Sequence, residues 1–189
     1  GGNNSKERTG YRLKRFLSPD HLFGTYRDIT PEFLQKNGIR ALVADIDNTL
    51  APYAQAEPDE ALCAWLGALQ DAGIRIALIS NNKPERVHLF NRNLGLPVYP
   101  DAGKPRRKYL RIALAEMGIP AKEAAILGDQ LLTDALAGNR MGMRVLIVPP
   151  IKNDGGLFFR CKRLIEKPII RRFRRNHPEN IHISGTETR

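Results

Sequence analysis

Two aspartates, Asp45 and Asp47, stand one residue apart at the end of the apolar run Ala41-Leu42-Val43-Ala44-Asp45-Ile46-Asp47-Asn48-Thr49-Leu50. The run has the length of a strand, and in an α/β sheet the carboxyl end of a strand is where ligands bind. Carboxylates there are costly to bury unless a cation or a catalytic task holds them. Three further sites repeat this placement at the ends of apolar runs or at helix starts. They are Ser80 in Leu78-Ile79-Ser80-Asn81-Asn82, Lys104 in Ala102-Gly103-Lys104-Pro105, and Asp129 with Asp134 in Gly128-Asp129-Gln130-Leu131-Leu132-Thr133-Asp134. In chain order this is a carboxylate pair, a hydroxyl, a cation and a second carboxylate pair.

Converging on one point, that set suits phosphoryl transfer. An aspartate can attack phosphorus and split hydrolysis into two displacements. A neighbouring carboxyl can protonate the leaving oxygen and then deprotonate water. A second acidic site can hold Mg²⁺, which prefers oxygen ligands. A hydroxyl, an ammonium and backbone amides can stabilise charge on the phosphoryl oxygens. Taken singly, each residue has a plainer reading: Asp45 and Asp47 a solvated turn, Ser80 a helix cap, Lys104 a surface lysine, Asp134 a structural hydrogen-bonder.

The elements that must position these residues alternate. Thr30-Pro31-Glu32 opens a helix that Gly38 ends, because a hydroxyl cap, Pro at the first position and an early acid favour a helix start. A strand runs to Asp45. Pro58-Asp59-Glu60 opens an amphipathic helix through Leu62, Trp65, Leu66 and Leu69, with Trp65 in the core. Strands follow at 74–79, 96–99, 124–127 and 144–148, and helices at 84–94, 105–117 and 131–139. This alternation predicts a parallel sheet with helices on both faces. The segment 157–175 interleaves apolar and basic residues, and Pro168 should kink or split any helix there.

The whole chain has 189 residues and a net charge of +10, and the charge is unevenly placed. Residues 41–154 balance, so the excess lies in the two flanks, which suggests that the flanks face something anionic. Cys63 and Cys161 have no metal-ligand spacing and read as reduced packing residues of a cytoplasmic protein. His21, His88, His177 and His182 have no partner spacing. No apolar run approaches the ~18–20 residues that span a bilayer.

The four ordered motifs resemble those of the haloacid dehalogenase (HAD) superfamily, and Asp-Ile-Asp-Asn-Thr-Leu resembles its subclass IIIA. With Phe16-Leu17-Ser18-Pro19, Ile29-Thr30-Pro31, Ser80-Asn81-Asn82 and the run Gly128–Arg140, the chain is similar to YqeG-like phosphatases, themselves similar to phosphatidylglycerophosphate phosphatases of mitochondria and plastids. The resemblance implies a Rossmann-like sheet, Asp45 as nucleophile and Asp47 as general acid/base. It places Ser80 and Lys104 on the phosphate, with Lys104 also steadying Asp45. Asn48 and Asn81 stand beside the phosphate, shaping loops or lending amides. Mg²⁺ would be held by Asp45, the Asp47 backbone carbonyl and Asp129, with Asp134 as an outer or water-mediated partner.

Asp47 and Ser80, and then Ser80 and Lys104, are separated by 33 and 24 residues, too few to hold an inserted cap domain. The cleft should therefore be open. Small metabolites usually need a lid, so an open cleft suits a phosphate protruding from a large or lipid body. The resulting expectation is a Mg²⁺-dependent phosphomonoester hydrolase acting on phosphatidylglycerophosphate. It would be cytoplasmic and peripheral at the inner face of the membrane, touching anionic lipid through its basic C-terminal segment. The alternatives are a phosphatase of a soluble nucleotide, sugar phosphate or phosphoprotein, and an RNA- or ribosome-associated binding module, although no nucleic-acid-binding motif is evident. The expected organisation is a disordered N-terminus (1–10), a capless phosphatase domain with a helical lead (11–153), a basic amphipathic extension (154–176) and a flexible tail (177–189).

Overall fold

The computed structural model describes residues 16–152 and 157–183, with the side chains of 157–160 left out. The expected disordered N-terminus falls outside these residues. Among the described residues, seven strands form one parallel sheet: β1 (His21–Phe23), β2 (Ala41–Asp45), β3 (Arg75–Ile79), β4 (Val98–Tyr99), β5 (Ala124–Gly128), β6 (Arg144–Ile147) and β7 (Ile181–His182). Their order across the sheet is β4-β3-β2-β5-β6-β1-β7. The central strands β2 and β5 are buried on both faces along their whole length, hence their unbroken apolar sequences.

Among the described residues, six α-helices cover the faces: α1 (Pro31–Lys36), α2 (Glu60–Asp71), α3 (Pro84–Asn91), α4 (Lys108–Met117), α5 (Leu136–Met141) and α6 (Leu157–Asn176). Side chains alternate between two cores. Leu42, Leu78 and Leu127 point to the side holding Leu62 and Leu66 of α2 and Phe90 of α3. Val43, Ile79 and Ile126 point to the side holding Leu110 and Leu114 of α4 and Phe173 of α6. The helix starts follow local chemistry. Thr30 and Asp59 cap α1 and α2 by accepting the N–H groups of Phe33 and Leu62.

From the centre the chain leaves in opposite directions, β2 leading to β3 on one side and β5 to β6 on the other. The crevice beyond the ends of β2 and β5 is therefore the topological switch point, where an open α/β sheet binds its ligand. Only a loop and α2 lie between β2 and β3, and only α3 lies between β3 and β4, so no cap domain is inserted at either point.

Several boundaries differ from the sequence expectation. Helix α4 begins at Lys108 rather than Pro105, because the Asn81 side chain holds both backbone groups of Lys104 off the helical path. Helix α3 stops at Asn91, whose amide turns to bond both backbone groups of Leu96. The segment expected as a helix from Leu131 starts as a π-helical turn, Leu131–Ala135, before α5. Helix α6 runs through Pro168 unsplit. Pro168 and Leu164, whose carbonyl loses its partner there, lie on the exposed side, so water can satisfy that group. Cys63 and Cys161, expected as packing residues, are both exposed free thiols. Trp65 is half-buried, with its indole N–H donated to the Ile29 carbonyl at 2.8 Å.

Residues 177–183, within the segment expected as a tail, include β7, which pairs with β1, Leu22 opposite Ile181 and Phe23 opposite His182. His21 Nδ1 lies 3.1 Å from His182 Nε2, and both rings pack against Phe23 and Phe33. Burial, then His182, depresses His21 below its ordinary 6.5. Burial likewise depresses His182 below 6.5. A lowered folded value means that the unfolded chain takes up the proton first. The pair's contribution is therefore complete above pH 6.5 and drains away as the pH falls below it. The stability advantage of wild type over His182→Asn, read by urea unfolding, should shrink from about pH 7.5 to about pH 5.5. A growing advantage would contradict the sign.

Candidate active site

Each motif residue sits where its local sequence must leave the sheet. Asp45 is the last residue of β2 and Asp129 follows the last residue of β5. Ser80 follows β3 directly and Lys104 lies in the turn before α4. The structure brings these residues together. Lys104 Nζ donates to Asp45 Oδ1 at 2.7 Å and to Asp134 Oδ1 at 2.6 Å, with all three side chains buried. Ser80 Oγ is 3.3 Å from Asp47 Oδ2. Single oxygens of Asp45, Asp129 and Asp134 lie within 4.8 Å of one another.

Asp47 faces its own set of donors. Its Oδ2 accepts the Asn82 amide at 3.2 Å, and its Oδ1 pairs with Arg86 Nη2 at 3.2 Å. Ser80 Oγ also accepts the backbone N–H of Asn82 at 2.9 Å, so it caps the turn into α3 as well as touching Asp47. Asn48 adopts φ +61°, and its N–H donates to the Ala51 carbonyl at 2.7 Å. This tight turn buries the Asn48 Oδ1, which finds no partner among the described residues. Asn81 stands nearby, but both ends of its amide are spent on the Lys104 backbone, at 2.7 and 3.1 Å. Thr49 Oγ1 lies 3.1 Å from Asp45 Oδ2 and 3.3 Å from Asp129 Oδ1.

The π-helical turn puts Asp134 beneath the site. Its Oδ2 accepts the Gln130 N–H at 3.2 Å, and its carboxylate lies so near Gly128 that a Cβ there would sit 2.2 Å from Asp134 Cγ. Only glycine fits at the end of β5. The cavity above these residues measures about 540 Å³ and is lined by Asp45, Asp47, Asn48, Ser80 and Lys104, with Tyr53 at its edge.

The electrostatics report a shortage of positive charge. Burial, reinforced by Asp134 and Asp129 and opposed by Lys104, pushes Asp45 up to about 8. Burial and Asp134 push Asp129 up to about 7 against Arg163 and Lys104. Burial alone would depress Lys104, but Asp134 and Asp45 outweigh it and hold the ammonium above its ordinary range. Three converging carboxylates against one lysine and one arginine fit a hard divalent cation with oxygen ligands. Asp45 and Asp129 would hold it, with Asp134 beside them.

Arg86, Arg163 and Glu166 were not anticipated. Arg86 looks like any basic residue in a helix. Arg163 reaches Asp129 from α6, and Glu166 lies buried beside it. The one available signal was Glu166, the sole acid in the basic stretch 157–175.

An uncapped parallel sheet with this constellation at its switch point has the layout of a HAD-type phosphatase. A family model described as "HAD-hyrolase-like" matches residues 101–150. The chain is 34% identical over 163 residues to "Probable phosphatase YqeG" of Bacillus subtilis (strain 168), covering 86% of this chain and 95% of that protein. It is 32% identical over 167 residues to "Phosphatidylglycerophosphate phosphatase 1, chloroplastic" of Chlamydomonas reinhardtii, covering 84% of this chain and 58% of that one. Among solved structures it is similar to the cobalt-bound deoxy-D-mannose-octulosonate 8-phosphate phosphatase YrbI of Haemophilus influenzae, with TM-score 0.47, 17% identity and coverage of 71% and 89% of the two chains. The chain belongs to the YqeG-like phosphatases of the HAD superfamily, and it is a hydrolase.

Proposed function

We propose that this phosphatase hydrolyses a phosphomonoester through an aspartyl-phosphate on Asp45, with Mg²⁺, and that its substrate is phosphatidylglycerophosphate. The observation that carries the mechanism is the Lys104 bridge between Asp45 and Asp134, with Asp47 across the cavity. Asp45 attacks phosphorus and the bond to the leaving oxygen breaks. Asp47 gives that oxygen its proton. Asp47 then takes a proton from water, whose oxygen attacks phosphorus and frees Asp45 and inorganic phosphate. Lys104 and Ser80 steady the phosphoryl oxygens through both displacements. Held by Asp45 and Asp129, Mg²⁺ would offset the repulsion between the carboxylates and the phosphate.

The lipid substrate is supported by the name of the Chlamydomonas relative, by the uncapped cleft, and by a second groove of about 680 Å³ beside α6. Leu22, Phe23 and Ile147 give this groove an apolar lining, and Lys167, Arg171 and Arg174 bring it positive charge, which suits an anionic amphiphile. Leu164 and Ile165 of α6 are exposed near these cations. Each basic residue near an anionic bilayer contributes about 1 kcal/mol, so α6 suits peripheral contact with such a surface. No helix among the described residues is long and apolar enough to cross a membrane.

Phosphate release from phosphatidylglycerophosphate in mixed micelles, beside glycerol 3-phosphate and nucleotides, tests this reading. The micellar lipid should exceed the soluble esters in kcat/KM by about tenfold or more, and a chelator should silence both until Mg²⁺ is returned. Equal or better turnover of soluble esters would overturn the lipid assignment. Chelator-resistant turnover would overturn the metal.

A further inference from the structure

We propose that Arg163 and Glu166 are positioning residues of the metal site, which makes the C-terminal helix α6 a working part of the active site. This rests on the reading above that Asp129 is a metal ligand. Arg163 holds Asp129 at two points: Nη2 donates to Oδ2 at 2.5 Å and Nη1 to the backbone carbonyl at 2.7 Å. With Oδ2 fixed, the carboxylate cannot rotate, and Oδ1 is kept toward Asp45, where Thr49 Oγ1 lies between the two acids. Glu166 is 1% exposed. It accepts the Leu132 N–H at 3.1 Å through Oε1 and pairs with Arg163 Nη1 at 3.2 Å through Oε2. Leu132 belongs to the π-helical turn that carries Asp134. One turn of α6 therefore braces both Asp129 and the segment holding Asp134.

A guanidinium on a ligand carboxylate could instead stand where the cation belongs and compete with it. The geometry points the other way. Arg163 and Asp129 meet at the second groove, whereas Asp45, Asp47 and Lys104 line the catalytic cavity. Arg163 thus takes Asp129 Oδ2, while Oδ1 is the oxygen that meets Thr49 beside Asp45. Partners of this kind orient a metal-ligating carboxylate, and losing one costs about 10–100-fold in metal affinity. Competition would give the opposite sign.

The test is Mn²⁺ binding to the full chain by electron paramagnetic resonance, without substrate, for wild type, Arg163→Gln, Arg163→Lys and Glu166→Gln. Arg163→Gln should weaken Mn²⁺ by about 10–100-fold. Arg163→Lys keeps the charge but cannot bridge carboxylate and carbonyl together, so it should weaken binding by a smaller factor and serve if the glutamine variant fails to fold. Glu166→Gln should fall between wild type and Arg163→Gln. At saturating metal, kcat should return to within several-fold of wild type. Unchanged Mn²⁺ affinity in the folded variants, even with a lowered melting temperature, would overturn the inference by leaving α6 a purely structural role. Tighter binding would overturn it in favour of competition. A wild type that hydrolyses phosphoesters without binding Mn²⁺ or Mg²⁺ would sink the metal reading itself.

Discussion

Asp45→Asn should lose phosphate release by at least ~10⁴-fold, the scale on which removal of a nucleophile acts, while the protein should stay folded. The amide is isosteric with the carboxylate but cannot form the acyl phosphate. Folding survives because the native carboxylate is itself a burden: burial beside Asp134 and Asp129 already pushes it up to about 8. The amide still accepts from Lys104 Nζ through the oxygen now 2.7 Å away. Circular dichroism and a melting curve beside the kinetic assay separate the two effects. Residual turnover within a hundredfold of wild type would remove Asp45 from the nucleophile's role.

Lys104→Met has the opposite balance, with a large loss of stability as well as of activity. Its side chain is 2% exposed and is the ammonium shared by Asp45 and Asp134. Methionine fills the space but leaves two carboxylates buried without their counter-charge. Breaking a buried pair this way costs ~3–5 kcal/mol, which for a chain of this size lowers the melting temperature by about 6–20 °C. One of the two acids should protonate to relieve the strain, so the deficit should shrink toward acid pH. A variant that melts with wild type at neutral pH would show that Lys104 does not hold the carboxylates in place.

The positions of the candidate site residues were legible in the sequence because of a contrast. Polar residues such as Asp45, Ser80 and Asp129 close runs of Leu, Ile, Val and Ala that can only be buried strands. The tight spacing that forbids a cap was legible for the same reason. What stayed hidden depends on long-range packing. β1 and β7 are three and two residues long, and only pairing with β6 and with each other makes them strands. The π-helical turn cannot be told from an α-helix by periodicity, yet it buries Asp134. Arg163 reaches Asp129 across 34 residues because Phe173 anchors α6 on the sheet. In the sequence that arginine is one of many in a basic stretch, while the buried acid beside it, Glu166, was the clue to a face turned inward.

The most direct test of the central claim is to find the phosphoryl group on the protein. Wild type and Asp47→Asn would be mixed with p-nitrophenyl phosphate, whose leaving group needs no proton, quenched in acid within the first turnovers and mapped by mass spectrometry. Phosphate should be found on Asp45, and should accumulate in Asp47→Asn because no base remains to activate water. Continued release of phosphate with the Asp45 peptide unmodified in both proteins would contradict an attack by this carboxylate.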